Sequence, residues 1–402
     1  MLSNDVLNKI RFLVGDADTV KNMDDVPSRT VFDPEILSFL SRVSKILMRR
    51  KDSRQYSDVV TFAFWIRDAS LKQIKGRYFV SDTGIHMGRG MTFHIAPSNV
   101  PVNFAYSLVT GLLAGNPCIV RVPSKEFGQV GIIAEAIVEA LDEYEHLKSF
   151  ISLIRYNRDR DINDALSSIA AIRIIWGGDA TIEEIRRSPL PPRSFDITFA
   201  DRYSIAIIDS GKYLLQCDPK KVAQDFYNDT YFSDQNACTS PRFVIWIGER
   251  KEDAKERFWN ELYEIVKSKY SFQDIQAVNK LTSLYRASAA CDGIRMITGK
   301  DNLIMRVSVS VLKNELTECI DNSGYFYEYD CGNVMEIEPL CNNRHCQTIG
   351  MIGDRKWLMP LLMSGVKGVD RVVEIGKTMD FDLVWDGYEL IHQMTRRIAV
   401  DY

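Results

Sequence analysis

The sequence predicts an α/β protein built on parallel sheets. From Met91 onward, short apolar runs alternate with segments of helical period. Runs such as Cys118-Ile119-Val120 and Phe243-Val244-Ile245-Trp246-Ile247 are continuously apolar, the pattern of strands buried on both faces. Most runs end at a Pro, Gly or Asn turn and are followed by a helix. Together these features are the signature of sheets wound with right-handed crossovers.

The elements follow in order. Residues 34–48 carry apolar side chains at helical spacing; Asp33 is a candidate N-cap and Pro34 fits the first turn. Residues 61–74 form a second amphipathic stretch. Neither carries chemistry, and residues 1–80 read as a packing or assembly layer. Residues 91–96 read as a strand, 97–101 as a turn, and 103–114 as a helix stopped by Gly115-Asn116. Strands follow at 118–122, 151–154 and 172–176, with helices at 125–141, 161–169 and 180–187. Two extended runs, 196–200 and 204–208, lead to a helix at 219–227. A strong strand at 243–247 precedes an amphipathic helix at 253–270. Sheets of this kind bind ligands beyond the carboxyl ends of their strands. That rule selects the turns at 97–101 and 176–179.

Composition excludes several classes. The chain has 402 residues, is 46% hydrophobic and 26% charged, and has a net charge of -4. This is a globular balance with no electrostatic footprint for nucleic acid. No apolar run reaches the length of a membrane span, and residues 1–21 carry Asp5, Arg11, Asp16 and Asp18 without the apolar core of a signal peptide. The eight cysteines are scattered. Cys341 and Cys346 flank His345, but the second close pair of a zinc site is missing, so no metal is expected. Reduced thiols in a cytoplasmic protein are the expectation. There is no G-x-G-x-x-G and no P-loop.

One cysteine stands apart. Cys238 lies in Ser233-Asp234-Gln235-Asn236-Ala237-Cys238-Thr239-Ser240-Pro241, a polar stretch unlike packing. It reads as a nucleophile on a loop. For the other seven cysteines a structural role is expected.

Four segments carry a family resemblance: His94-Ile95-Ala96-Pro97-Ser98-Asn99-Val100-Pro101, Leu112-Leu113-Ala114-Gly115-Asn116, Asp234-Gln235-Asn236-Ala237-Cys238-Thr239-Ser240-Pro241, and Gly368-Val369-Asp370-Arg371 with Trp385-Asp386-Gly387. In order and spacing they resemble the acyl-CoA reductase family of the aldehyde dehydrogenase superfamily, which includes the fatty acid reductase subunit of bacterial bioluminescence. The resemblance spans nearly the whole chain. It implies an aldehyde dehydrogenase-like fold, with a Rossmann-like parallel-sheet cofactor domain and a second α/β catalytic domain. The expected division is residues 1–225 for N-terminal helices and nucleotide binding, 226–365 for catalysis, and 366–402 for a segment returning to the first domain or to an oligomer interface.

The resemblance also assigns roles. Cys238 matches the nucleophile that takes an acyl group from a CoA or carrier thioester. Asn99 matches the side-chain donor to the oxyanion, beside the Cys238 backbone N–H. Arg121 falls where aldehyde dehydrogenases hold the adenosine ribose with a lysine; a fixed cation there suits a 2′-phosphate and hence NADPH. Ser124 and Lys125 are neighbouring candidates. Gly177 and Gly178 match the turn that lets a pyrophosphate approach a helix N-terminus, although Asp179 is an awkward neighbour. Glu336 matches a glutamate that holds the nicotinamide ribose, with Glu338 competing. His345 lies near the family's Leu-Gln-Thr-type segment.

The position of the water-activating glutamate of hydrolytic aldehyde dehydrogenases is Phe199, or Asp201 if the alignment slips by two. Without that base, an acyl-cysteine waits for hydride, so the expectation is NADPH-dependent reduction of an acyl thioester to an aldehyde. The alternatives are an acyl-holding or scaffolding subunit of a biosynthetic complex, and a hydrolytic aldehyde dehydrogenase. An acyl-activating ligase or transferase partner and a homo-oligomer are also implied.

Overall fold

A computed structural model describes residues 2–78, 84–98 and 100–400. The chain forms two compact units, Met1–Ala200 with Tyr388–Tyr402, and Asp201–Gly387. The first boundary therefore falls at 200/201, where the sequence reading puts it at 225/226. The reason is that residues 203–209 join the sheet of the second unit.

The first unit holds a six-stranded sheet: β1 (Arg11–Val14), β2 (Thr92–Ile95), β3 (Cys118–Arg121), β4 (Ile151–Arg155), β5 (Ile172–Trp176) and β6 (Phe195–Phe199). Their order is β1-β4-β3-β2-β5-β6. All neighbours are parallel except β1, which runs antiparallel to β4. The chain winds outward from β2 through β3 to β4, then returns to the other side of β2 with β5. The sheet therefore switches direction between β2 and β5, and the carboxyl ends of these two strands lead into the turns at 97–101 and 177–178. Phe93, Ile119, Ile154 and Ile175 share one core on this sheet and are completely buried. Each contributes about 1.5–3 kcal/mol by leaving water.

Outside the sheet, helix Pro34–Arg49 begins where the Asp33 carboxylate accepts from the Glu35 and Ile36 backbone N–H groups. It buries Ile36, Phe39, Leu40, Val43, Ile46 and Leu47 on one face. Residues 61–74 are not one helix but parts of two, Ser57–Trp65 and Asp68–Tyr78. At the break, the Ser70 hydroxyl donates to the Phe64 carbonyl, meeting a need that helix continuation would otherwise meet. The strand Ile85–Gly88 pairs antiparallel with Thr395–Ile398, so the end of the chain completes this unit. Buried Asn116 ties the two regions. Its Oδ1 accepts from Arg89 N at 2.7 Å and its Nδ2 donates to Met394 O at 3.0 Å.

The second unit holds a seven-stranded sheet: β7 (Tyr203–Asp209), β8 (Pro241–Ile247), β9 (Ile294–Ile297), β10 (Met305–Val309), β11 (Tyr325–Asp330), β12 (Cys346–Ile352) and β13 (Arg371–Glu374). Their order is β9-β10-β11-β8-β7-β12-β13, parallel except for β9 against β10. Every residue of β8 is buried, as its continuous apolar run requires.

One buried charge tests the first unit. Arg173 on β5 is 1% exposed. Its guanidinium donates to Asp196 at 2.7 and 3.2 Å, to Ser167 Oγ at 2.8 Å and to the Ser188 carbonyl at 2.9 Å. Replacing it with Met removes these donors and leaves the Asp196 carboxylate with Arg186 at 3.3 Å as its remaining cation. Arg173→Met is expected to cost about 3 kcal/mol or more, read as a lower urea midpoint for the first unit.

Candidate active site

The Cys238 loop joins helix Pro219–Asp229 to β8, so it lies at the amino end of a parallel strand. The helix stops at Thr230, and a turn over Tyr231–Ser233 delivers Asp234 and Gln235 in left-handed backbone, each with φ 53°. Side-chain bonding holds this unusual pair. The buried Gln235 amide donates to Pro241 O at 3.0 Å, and its oxygen accepts from Gly324 N at 2.6 Å and Tyr325 N at 3.2 Å. The Asp234 carboxylate accepts from Ser323 Oγ at 2.8 Å and from the Tyr270 hydroxyl. Arg242 spans the same segments, donating to the carbonyls of Gln235 and Asp321 and to Asn322 Oδ1 at 2.6 Å.

Cys238 is half-buried. Ser204 Oγ, at the start of β7, donates to its carbonyl at 2.8 Å and accepts from Thr348 N on β12 at 3.3 Å. The surroundings hold the thiol as a thiol. Burial, then the Asp386 carboxylate, push it up to about 11; hydrogen bonding from the Gln347 amide and its own backbone N–H, and the charge of Arg202, favour the thiolate without prevailing. Gln347 also donates from Nε2 to Asp386 Oδ1. Asp386 is buried and sits in left-handed backbone with φ 49°. Burial raises its carboxyl to about 6 against the opposing charge of Arg202. Arg202 pairs with Asp370 at 2.8 Å. Gly387 permits the crossing, since a Cβ there would lie 2.9 Å from Asp370 Oδ1.

The segments 368–371 and 385–387 thus converge on Cys238 with β12. Sequence reading singles them out but gives Gln347, Asp370 and Asp386 no role. The signal was present in the motifs; only folding shows which side chains meet.

In the first unit, Gly177 and Gly178 link β5 to helix Asp179–Arg186 at the switch in strand order. Gly178 is the N-cap, and no side chain caps the first-turn N–H groups. A Cβ on Gly177 would approach Thr181 Cγ2 to 3.1 Å. This is a glycine-lined helix start suited to a phosphate group, although Asp179 stands in its first turn. Arg121 ends β3, two strands along from β5, with its guanidinium 4.5 Å from the Tyr156 ring centre. Ser124 and Lys125 are exposed in the turn that follows. These residues lie beyond the carboxyl ends of the strands, where sheets of this kind bind their ligands. Ser107 Oγ joins His94 Nδ1 at 2.7 Å and Trp176 Nε1 at 3.0 Å. Burial pushes His94 down to about 3, so it is neutral. Asn99 itself lies outside the described residues.

Other expected positions are occupied in local structure. Glu336 accepts from the backbone N–H groups of Asn333 at 2.9 Å and Gly332 at 3.2 Å, and from the Tyr329 hydroxyl at 2.7 Å. Glu338 starts the short helix Glu338–Cys341. His345 Nδ1 bonds the Asp201 carbonyl at 2.6 Å, while Cys341 and Cys346 are buried. Phe199 ends β6 buried, stacked on Trp176 with ring centres 3.6 Å apart.

Comparison with known proteins agrees with this architecture. An indole-3-acetaldehyde dehydrogenase from P. syringae superposes with a TM-score of 0.68 at 13% identity, covering 94% of this chain and 87% of that one. Aldehyde dehydrogenase 21 from Physcomitrella patens superposes with a TM-score of 0.66 at 13% identity, covering 95% and 89%. The fold is therefore that of aldehyde dehydrogenases. The long-chain acyl-protein thioester reductase of Vibrio harveyi is 26% identical over 300 residues, which is 72% of this chain and 59% of the relative. That of Aliivibrio fischeri is 24% identical over 299 residues, 72% of this chain and 58% of the relative. The match therefore spans less than two thirds of the length of either relative. The model of the acyl-CoA reductase (LuxC) family matches residues 5–397, and the chain belongs to that family.

Proposed function

We propose that this protein reduces an activated acyl group to an aldehyde through an acyl-enzyme on Cys238. The observation that carries the reading is the Cys238 loop: a cysteine on a turn fixed by the buried hydrogen bonds of Gln235, beside a charged network, in a chain of the acyl-CoA reductase family. The thiol gives up its proton, the sulfur bonds to the thioester carbon, and the donor thiol departs with a proton. The Cys238 backbone N–H is a donor for the developing oxyanion. A reduced nicotinamide, when bound, would supply a hydride to the acyl carbon; the carbon–sulfur bond then breaks, the aldehyde leaves and Cys238 regains its proton as the thiol. Gly177, Gly178, Arg121, Ser124 and Lys125 are the residues proposed to hold the dinucleotide, with Arg121 and Lys125 favouring the extra phosphate of NADPH. The relatives are named for thioesters carried on a protein, which supports an acyl-carrier donor alongside acyl-CoA, supplied by an acyl-activating ligase or transferase.

The reading of reduction over hydrolysis rests on Phe199, an apolar side chain at the position aligned with the water-activating base. A second reading, an acyl-holding subunit without reduction, is favoured by Asp179, whose charge opposes a pyrophosphate at that helix start. Dinucleotide binding separates the two.

Exposure to acyl-CoA is expected to add one acyl group to the intact protein, mapped to Cys238 by peptide mass. Cys238→Ser is expected to lose the adduct and all aldehyde formation with NADPH. Undiminished aldehyde from that variant would remove Cys238 from the mechanism. Arg121→Gln is expected to weaken NADPH binding about tenfold while leaving NADH nearly unchanged, measured by fluorescence titration. Equal losses for both would leave Arg121 without a role in cofactor choice.

A further inference from the structure

We propose that the outer face of helix Asp274–Ala290 is an interface between two copies of this chain, which pack these helices antiparallel about a two-fold axis level with Lys280.

The inner face of the helix is fully committed to its own unit. Gln276 donates to the Tyr270 hydroxyl at 3.0 Å, buried Lys280 to the Ser323 carbonyl at 2.8 Å, and Ser283 to the Asp321 carboxylate at 2.8 Å. Leu284 and Ala287 enter the hydrophobic core. These anchors run along one side, so the helix cannot roll, and its other side is held outward. That side carries Ile275, Val278, Leu281 and Tyr285, exposed by 58%, 57%, 37% and 68%. At 3.6 residues per turn the four fall within an arc of about 120°, with Thr282 and Ala289 between them. From Ile275 to Ala289 no charged side chain falls in that arc. Residues 201–387 are all described, and none of them covers the stripe. An apolar surface of this kind on a fixed helix marks an interaction site.

Symmetry and charge select the occupant. The stripe is laid out evenly about position 280: Ile275 and Tyr285 lie five residues to either side, Val278 and Thr282 two, Asp274 and Arg286 six. A two-fold interface uses one patch on both copies, so that residue i meets j and j meets i. Antiparallel packing therefore sets Ile275 against Tyr285 of the second copy and Val278 against its Thr282. It also brings the acidic end of each helix to the basic end of the other. Arg286 donates to the Glu318 carbonyl at 3.2 Å, and neither it nor Asp274 has an ion-pair partner among the described residues. Opposed helix dipoles favour the same arrangement. A lipid surface fits less well, because Arg286 is the one exposed cation of this helix, where membrane-surface helices carry many. The Cys238 loop is held from the inner face through Ser323 and Asp234, so association on the outer face is independent of the acyl chemistry.

Sedimentation equilibrium of the full chain, from about 1 to about 100 μM, is the test. A stripe smaller than a standard interface is expected to give a dissociation constant of about 10 μM or tighter. The double variant Val278→Glu, Tyr285→Glu alters exposed positions only and is expected to weaken this association at least about tenfold, halving the mass of whatever assembly the wild type forms. A wild type that stays monomeric at about 100 μM would overturn the proposal. So would a double variant with the wild-type mass, which would leave the stripe to a different protein. A second readout stands apart from the folding of that variant. A Val278→Cys chain mixed with a Thr282→Cys chain and oxidised with diamide is expected to give a dimer linked between those two positions, mapped by peptide mass. Absence of that linkage would overturn the antiparallel register.

Discussion

The buried side chain of Gln235 is the constraint on which the second unit's site depends. Two consecutive left-handed residues, neither of them glycine, cost about 1–3 kcal/mol each. Gln235 offsets that cost by replacing backbone partners: its amide bonds the carbonyl of Pro241 and the N–H groups of Gly324 and Tyr325. The loop is thereby joined to the start of β8 and the start of β11 at once. Asp234 and Arg242 fasten the same two segments with charged groups, so the turn at 321–324 and the Cys238 loop are one hydrogen-bonded body. The position of the Cys238 loop follows from that body.

The location of Cys238 also separates two kinds of chemistry in one architecture. In the first unit the residues suited to phosphate lie beyond the carboxyl ends of β3 and β5, where helix starts collect unpaired N–H groups. In the second unit Cys238, the proposed nucleophile, lies at the amino end of β8, together with the starts of β7 and β12. There the neighbours are strand-start side chains such as Ser204 and Gln347. Those positions supply hydrogen bonds of chosen direction in place of a helix dipole. A thiol kept neutral by burial needs such directional donors more than it needs a general field.

Much of this was legible in the sequence, for identifiable reasons. Asp33-Pro34 marked a helix start because capping is local, and the Asp33 carboxylate makes the expected bonds. β5 and β8 were legible because strands buried on both faces must be apolar throughout. The Cys238 loop stood out because polar neighbours around a cysteine contradict packing. What was missed is non-local. β1 went unread because a four-residue strand at a sheet edge has no periodicity to display, and only its partner β4 defines it. The stretch at 61–74 looked like one helix because nothing in it breaks a helix outright. Gln347 and Asp386 were in recognised segments, yet 39 residues apart in sequence their bond has no local signature.

The return of the chain to its first unit has a consequence for biosynthesis. Ile85–Gly88 finds its main antiparallel partner in Thr395–Ile398, with a single bridge from Thr30 to Met87, and Asn116 waits for the carbonyl of Met394. During synthesis the first unit therefore emerges early but stays incomplete, with one side of Ile85–Gly88 and the buried amide of Asn116 unsatisfied. The second unit is continuous, and all its residues leave the ribosome before the last partner does. The order of completion is thus the reverse of the usual vectorial order, in which N-terminal domains finish first. The early unit spends most of translation with Ile85–Gly88 lacking its strand partner, a state in which a nascent chain gains from a chaperone.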